Sequence, residues 1–126
     1  MPTKNYLTLL VVDLILLMVS ACDENTRDTY SYAGDVEPIF TQRDCKFCHT
    51  SDQNIHLDLT NHAGLMRGSD NGVVVVPGDA DHSLLYLKVA MEQPPRGERM
   101  PLGHDPLTTT QIRIIEDWIN TGAQNN

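Results

Sequence analysis

Cys45 and Cys48 stand three residues apart, and His49 follows the second cysteine directly, in the stretch DCKFCH at 44–49. Two thiols and an imidazole at this spacing can do three kinds of chemistry. As a zinc site they supply three ligands, and a fourth must come from His56, His62, His82 or His104. As a thioredoxin-like redox pair they need a βαβ setting, which the pattern of this chain does not supply. As a haem-attachment motif they need nothing further nearby. Both sulfurs then bond to the haem vinyl groups, and the imidazole of His49 becomes the proximal iron ligand. The spacing suits this third chemistry. At the end of a helix, two cysteines three apart face one edge of a flat porphyrin, and the next side chain turns toward the ring centre.

The elements that position these residues are short and helical. Val36, Ile39 and Phe40 fall at helical spacing, with Asp35 as N-cap and Pro38 in the first turn, so a helix is predicted over 35–46. Residues 50–59 read as loop. A short helix follows, capped by Thr60 and stopped by Gly68. The apolar run at 73–76 has no partner strand in this sequence and reads as a buried connector. Another helix runs over 81–93 from Asp81 or Ser83 to the Pro94-Pro95 pair, and the Pro- and Gly-rich stretch 94–107 is loop. The last helix is the clearest: Thr108 and Gln111 make a capping box, Ile112, Ile115, Trp118 and Ile119 form an apolar stripe, and Gly122 ends it. The whole is all-α, with long loops between short helices. Loops of this length in a small domain usually enclose something.

The third cysteine, Cys22, stands apart from this chemistry. It closes an apolar leader, YLTLLVVDLILLMV at 6–19, that is preceded by Lys4 and interrupted by Asp13. The leader is shorter than the ~20 residues of a membrane span, and Asp13 near its middle would cost about 2.5–3.5 kcal/mol on insertion. It reads as a secretory signal. The sequence LMVSAC at 17–22 resembles the lipobox of bacterial lipoproteins. That resemblance implies a signal peptide over 1–21, a lipidated Cys22 as the mature N-terminus, a tether over 22–34, and a domain over 35–126.

The chain has 126 residues and a formal charge of −8, which argues against nucleic acid as a partner. Only seven aromatic residues are present: Trp118, Phe40, Phe47 and four tyrosines. A core with so few large side chains is marginal unless something else fills it.

Several stretches together resemble the small monohaem class I cytochromes c of the planctomycete type. They are DVEPIF at 35–40, CKFCH at 45–49, LDLTNHAGLMRG at 57–68, VVVPGDADHSLLYLKV at 74–89, RMP at 99–101 and LTTTQIRIIEDWINTGA at 107–123. The resemblance spans residues 35–123 and implies the class I cytochrome c fold, with short helices and long loops wrapped around one covalent haem c. It implies electron transfer between extracytoplasmic redox proteins on the periplasmic side, and no enzymatic activity. It also implies that the first and last helices cross beside the haem, with Phe40 and Trp118 as aromatic contacts and Val36 and Ile115 beside them.

The sixth iron ligand has three methionine candidates in the mature chain, Met66, Met91 and Met100. Met66 and Met91 sit in predicted helices among leucines, as core filler does. The family's distal Met-Pro pair maps onto Met100-Pro101, which makes Met100 the ligand that the resemblance implies; His104, on the same loop, is its rival. Arg67, Arg96 and Arg99 are candidates to pair with the haem propionates. His56, His62 and His82 read as surface histidines. The alternatives to a carrier are a peroxidase- or reductase-like enzyme or sensor with an open iron face, and a zinc-binding interaction module.

Overall fold

The computed structural model describes residues 29–52 and 56–126. The leader, Cys22 and most of the expected tether lie outside the described residues. One π-helical turn, Tyr32–Val36, runs directly into α1, Glu37–Gln42. Then come α2, Cys45–Cys48; α3, His62–Arg67; α4, Leu84–Ala90; and α5, Thr109–Asn120. Among the described residues there is no strand, as an all-α reading requires.

The helix predicted over 35–46 differs in the structure at both ends. It begins at Tyr32, because Ser31 is the cap: its hydroxyl accepts from the Gly34 N–H at 2.8 Å, and its own N–H donates to Asp35 Oδ2 at 2.7 Å. Asp35 therefore contributes to the cap from inside the first turn, reversing the role expected of it. The helix breaks before the cysteines, where Asp44 takes the left-handed conformation at φ 54°. A short polar side chain tolerates that region better than most. The break lets α2 leave at a new angle, so the two cysteines sit on a separate turn.

The other elements follow their local signals closely. Asn61, one residue after the expected Thr60, caps α3 by accepting from Gly64 N–H at 2.8 Å, and Gly68 ends it. Thr60 instead serves the carboxylate of Asp58. The run 73–76 forms no strand and bends at Val74; Val74 and Val75 are buried, as expected of a connector, but Val73 is exposed. Ser83 precedes α4, but its buried hydroxyl is spent on Val76 and Asp79 and caps nothing. α4 stops at Ala90, before the proline pair. The α5 capping box forms with both bonds, Gln111 N–H to Thr108 Oγ1 at 3.2 Å and Thr108 N–H to Gln111 Oε1 at 3.0 Å.

The core joins Val36, Leu65, Ile115, Trp118 and Ile119, all fully buried, with Phe40 2% exposed. Each such side chain stabilises the fold by roughly 1.5–3 kcal/mol through burial. α5 packs against the π-helical turn, so the chain's first and last helical segments do meet. Trp118 stands in the aromatic contact there as expected, but its ring partners are Tyr32 and His62. Trp118 pairs with Tyr32 at 5.8 Å and with His62 at 6.0 Å, and Tyr32 meets His62 edge-on at 5.0 Å. His62 is therefore no surface histidine. Its ring is half-buried, and Nε2 lies 2.8 Å from the Ala123 carbonyl. Phe40 is part of the same core and also lines a large cavity.

Candidate functional site

α2 puts Cys45, Phe47 and Cys48 on the wall of that cavity, and His49 follows at the helix end. His49 is held at its backbone from two sides: its N–H donates to Cys45 O at 3.0 Å, and its carbonyl accepts from Leu59 N–H at 3.0 Å. Leu59 belongs to the turn 57–60, which is organised by Asp58. The Asp58 carboxylate is buried and accepts from the Thr60 N–H at 2.9 Å and the Thr60 hydroxyl at 2.5 Å. Leu57 and Leu59 on either side of it line the cavity. A buried carboxylate thus fixes the strand of chain that ties down His49.

The opposite wall comes from α4 and the loop after it. Leu84, Leu85, Lys88 and Val89 face the cavity, and so do Met100, Pro101, Leu102 and His104. The loop is tied to α4 at several points. Met100 N–H donates to Lys88 O at 2.8 Å, Lys88 Nζ donates to Arg96 O at 3.0 Å and to Glu98 O, and the Arg99 guanidinium reaches Val89 O at 3.3 Å. Met100 is half-buried and packed on the core, whereas His104 is exposed.

The cavity measures about 530 Å³. That lies inside the roughly 300–1,000 Å³ of pockets that engulf small cofactors. Its walls are mostly apolar, from Phe40, Leu57, Leu59, Val74, Leu84, Leu85, Val89 and Leu107. Both thiols are free, with Cys48 exposed and Cys45 half-buried. Burial pushes the Cys45 thiol above its ordinary pKa, which keeps it neutral. Burial, and after it the nearby Lys88 ammonium, holds the His49 imidazole below its usual protonation range. A neutral imidazole is the form that binds a metal. Its Nδ1 is buried without a hydrogen-bond partner among the described residues.

These features fit a flat, largely apolar group bonded through sulfur and approached by an imidazole. They do not fit the zinc alternative. Among the described residues, no three His, Cys, Asp or Glu side chains cluster as metal ligands. Three of the four histidines that might have completed such a site are engaged elsewhere: His56 with Asp70 at 2.7 Å, His82 with Asp79 at 2.8 Å, and His62 with Ala123. Of the arginines weighed for the propionates, Arg96 lines the cavity; Arg67 lies 3.9 Å from Asp58 and Arg99 is turned to the α4 carbonyl of Val89. Sequence reading did not single out Arg43 and Lys88, which also line the cavity. Both are tied to backbone carbonyls distant in sequence, a feature that leaves no local signal.

The cysteines, the histidine, Met100 and the cavity thus share one site. No curated protein and no solved structure matches the chain. A family model does: residues 45–101 match that of planctomycete cytochrome C. The match runs from Cys45 to Pro101 and so joins the two walls of the cavity. Residues 45–101 therefore form a planctomycete-type cytochrome c domain, whose cofactor is a covalently bound haem c with its iron.

Proposed function

We propose that this chain is a carrier of single electrons, with thioether bonds through Cys45 and Cys48 and with His49 and Met100 as the two axial ligands. The family is one of haem-based electron transfer. The observation that carries the finer reading is that His49 and Met100 line one cavity from segments tied down independently of each other. The haem supplies a one-electron Fe(III)/Fe(II) couple. The residues do the rest. The thiols fix the macrocycle's edge, and the aliphatic walls exclude water. A Met/His ligand pair raises the potential and leaves no axial position for oxygen or peroxide, so this reading contains no enzymatic step.

In the same reading, Cys22 is acylated after removal of residues 1–21, and the domain 35–126 works on the extracytoplasmic face of a membrane. Domains of this family typically lie outside the cytoplasm, and no helix among the described residues is long and apolar enough to cross a membrane. The donors and acceptors are other extracytoplasmic redox proteins. Cys22→Ala should move the protein from the membrane to the soluble fraction.

One observation favours a second arrangement: His104 also lines the cavity. Spectroscopy of the purified holoprotein separates the two. With Met100 as ligand, the ferric protein has the red-region charge-transfer band of thioether ligation and does not bind carbon monoxide when reduced. Met100→Ala loses the band, binds carbon monoxide and has a lower potential. If His104→Ala opens the iron and Met100→Ala does not, the assignment of Met100 fails. If the wild type already binds carbon monoxide freely, the closed carrier fails.

A further inference from the structure

The cavity wall carries three cations, Arg43, Lys88 and Arg96, in a chain whose formal charge is −8. Among the described residues, none of the three has a carboxylate within 4.0 Å. They fall into two groups. Arg43 belongs to the cysteine end: its carbonyl lies 3.8 Å from Cys45 Sγ, and its guanidinium donates to Asp105 O and to Pro106 O. Lys88 and Arg96 form the other group. Lys88 Nζ donates to Arg96 O at 3.0 Å, and the Arg96 guanidinium reaches Asn71 O at 3.4 Å. Neither residue of this second group shares a hydrogen bond with residues 43–49.

Haem carries its charge on one side only. The vinyl groups occupy two adjacent pyrroles and the propionates the other two, so the edge bonded to sulfur is the edge remote from the carboxylates. Cys45 and Cys48 thereby assign the propionates to the part of the cavity away from α2. We propose that Lys88 and Arg96 form the corner that receives the two haem propionates, with the Ser69 hydroxyl and the Asn71 amide as neutral donors on the same wall. The inference rests on the covalent haem c of this family. Lys88 is the telling residue. The residue lies half-buried beside an apolar wall, and among the described residues the hydrogen-bond partners of its ammonium are neutral carbonyls. A cation that has only neutral acceptors gains a charge-assisted hydrogen bond when a carboxylate arrives. Arg96 is exposed and free to swing its fork of donors onto the second carboxylate.

The test compares Arg96→Gln, Lys88→Gln and the double variant with Arg43→Gln, each as holoprotein. A pyridine haemochrome spectrum first establishes covalent haem; its absence from the wild type would remove the cofactor and with it this proposal. Resonance Raman then reads the propionate bending modes. These should shift in the Lys88 and Arg96 variants and stay in place in Arg43→Gln. The potential should fall in the double variant, by about tenfold in the ratio of oxidised to reduced protein at fixed ambient potential, or ~59 mV for one electron. Arg96→Lys should restore most of it. Lys88 also braces the Met100 loop, so Arg96→Gln, whose guanidinium bonds Asn71 O and not that loop, carries the decision if Lys88→Gln folds poorly. Unshifted propionate modes in Arg96→Gln, or a shift in Arg43→Gln alone, would overturn the assignment.

Discussion

Helix propensity and packing give opposite signs for one substitution, Gly64→Ala. Gly64 lies inside α3, where alanine is favoured by about 1 kcal/mol. A Cβ at this position would meet Asp58, 2.7 Å from Cγ, 2.7 Å from Oδ2 and 2.8 Å from the backbone O. The carboxylate can rotate away only by giving up bonds from the Thr60 N–H and hydroxyl, and hydrogen bonds to a charged group contribute about 1.5–3 kcal/mol each. The backbone oxygen cannot rotate away at all. Losing one bond already exceeds the propensity gain, and the strain at the carbonyl adds to it. Gly64→Ala should therefore destabilise the holoprotein by about 2 kcal/mol. In guanidinium unfolding that is a fall in midpoint of roughly 0.5 M with unchanged slope. A variant as stable as the wild type, or more so, would refute the packing argument and leave propensity in control.

The same carboxylate makes the effect pH-dependent. The Thr60 hydroxyl, then the Thr60 N–H, hold Asp58 below the ordinary carboxylate range. A depressed folded pKa means that the stabilisation is complete above the unfolded value of about 3.9 and is lost as pH falls toward the folded value. The gap between wild type and Gly64→Ala should thus be widest above about pH 4 and narrow below it. A gap that stays constant in acid would leave only the steric half of the argument.

Three further variants probe other parts of the structure. Tyr32 has its hydroxyl buried without a partner among the described residues, and its pKa is pushed up to about 12, by burial first and then by Glu37 and Asp58; Tyr32→Phe should unfold at the same temperature as the wild type or higher, and a large loss would show that the hydroxyl is bonded. Thr108→Ala removes one side of the α5 capping box and should cost about 1 kcal/mol, read as a fall in Tm of about 4–8 °C. Cys45→Ser with Cys48→Ser should allow acid–acetone to strip the haem from the polypeptide, while in the wild type the haem mass stays with the chain.

How much was legible depended on how far apart the interacting residues are. The α5 cap joins residues three apart, and its stripe repeats within one helix, so both could be read directly. So could Gly68 as the end of α3 and the buried run at Val74 and Val75. The features that were missed are set from a distance. His62 reads as a polar surface residue until Ala123, 61 positions later, offers its carbonyl. Arg43 is held by Asp105 and Pro106, and only the folded chain brings them together. The break at Asp44 has no glycine or proline to announce it, because an aspartate adopts φ 54° at modest cost when packing demands it.

That break also explains how a motif readable in five residues becomes a site. In a helix continuous through residue 46, Cys45 would project about 140° around the axis from Phe40 and so away from the wall that Phe40 lines. With Asp44 left-handed, α1 can bury Ile39 and Phe40 while α2 turns both thiols to the cavity. The chain downstream then has two tasks, and it performs them with different chemistry. On the His49 side a buried carboxylate organises the turn 57–60, whose Leu59 holds the His49 carbonyl. On the Met100 side, cations on and beside α4 hold backbone carbonyls, and prolines at 94, 95, 101 and 106 restrict the loop before it closes. If Met100 ligates the iron as proposed, the thioether bond is weak, and a loop that loses little entropy on closing would favour it. If His49 is the other ligand, as proposed, its stronger bond needs orientation more than restraint, and the two backbone hydrogen bonds at His49 would provide it.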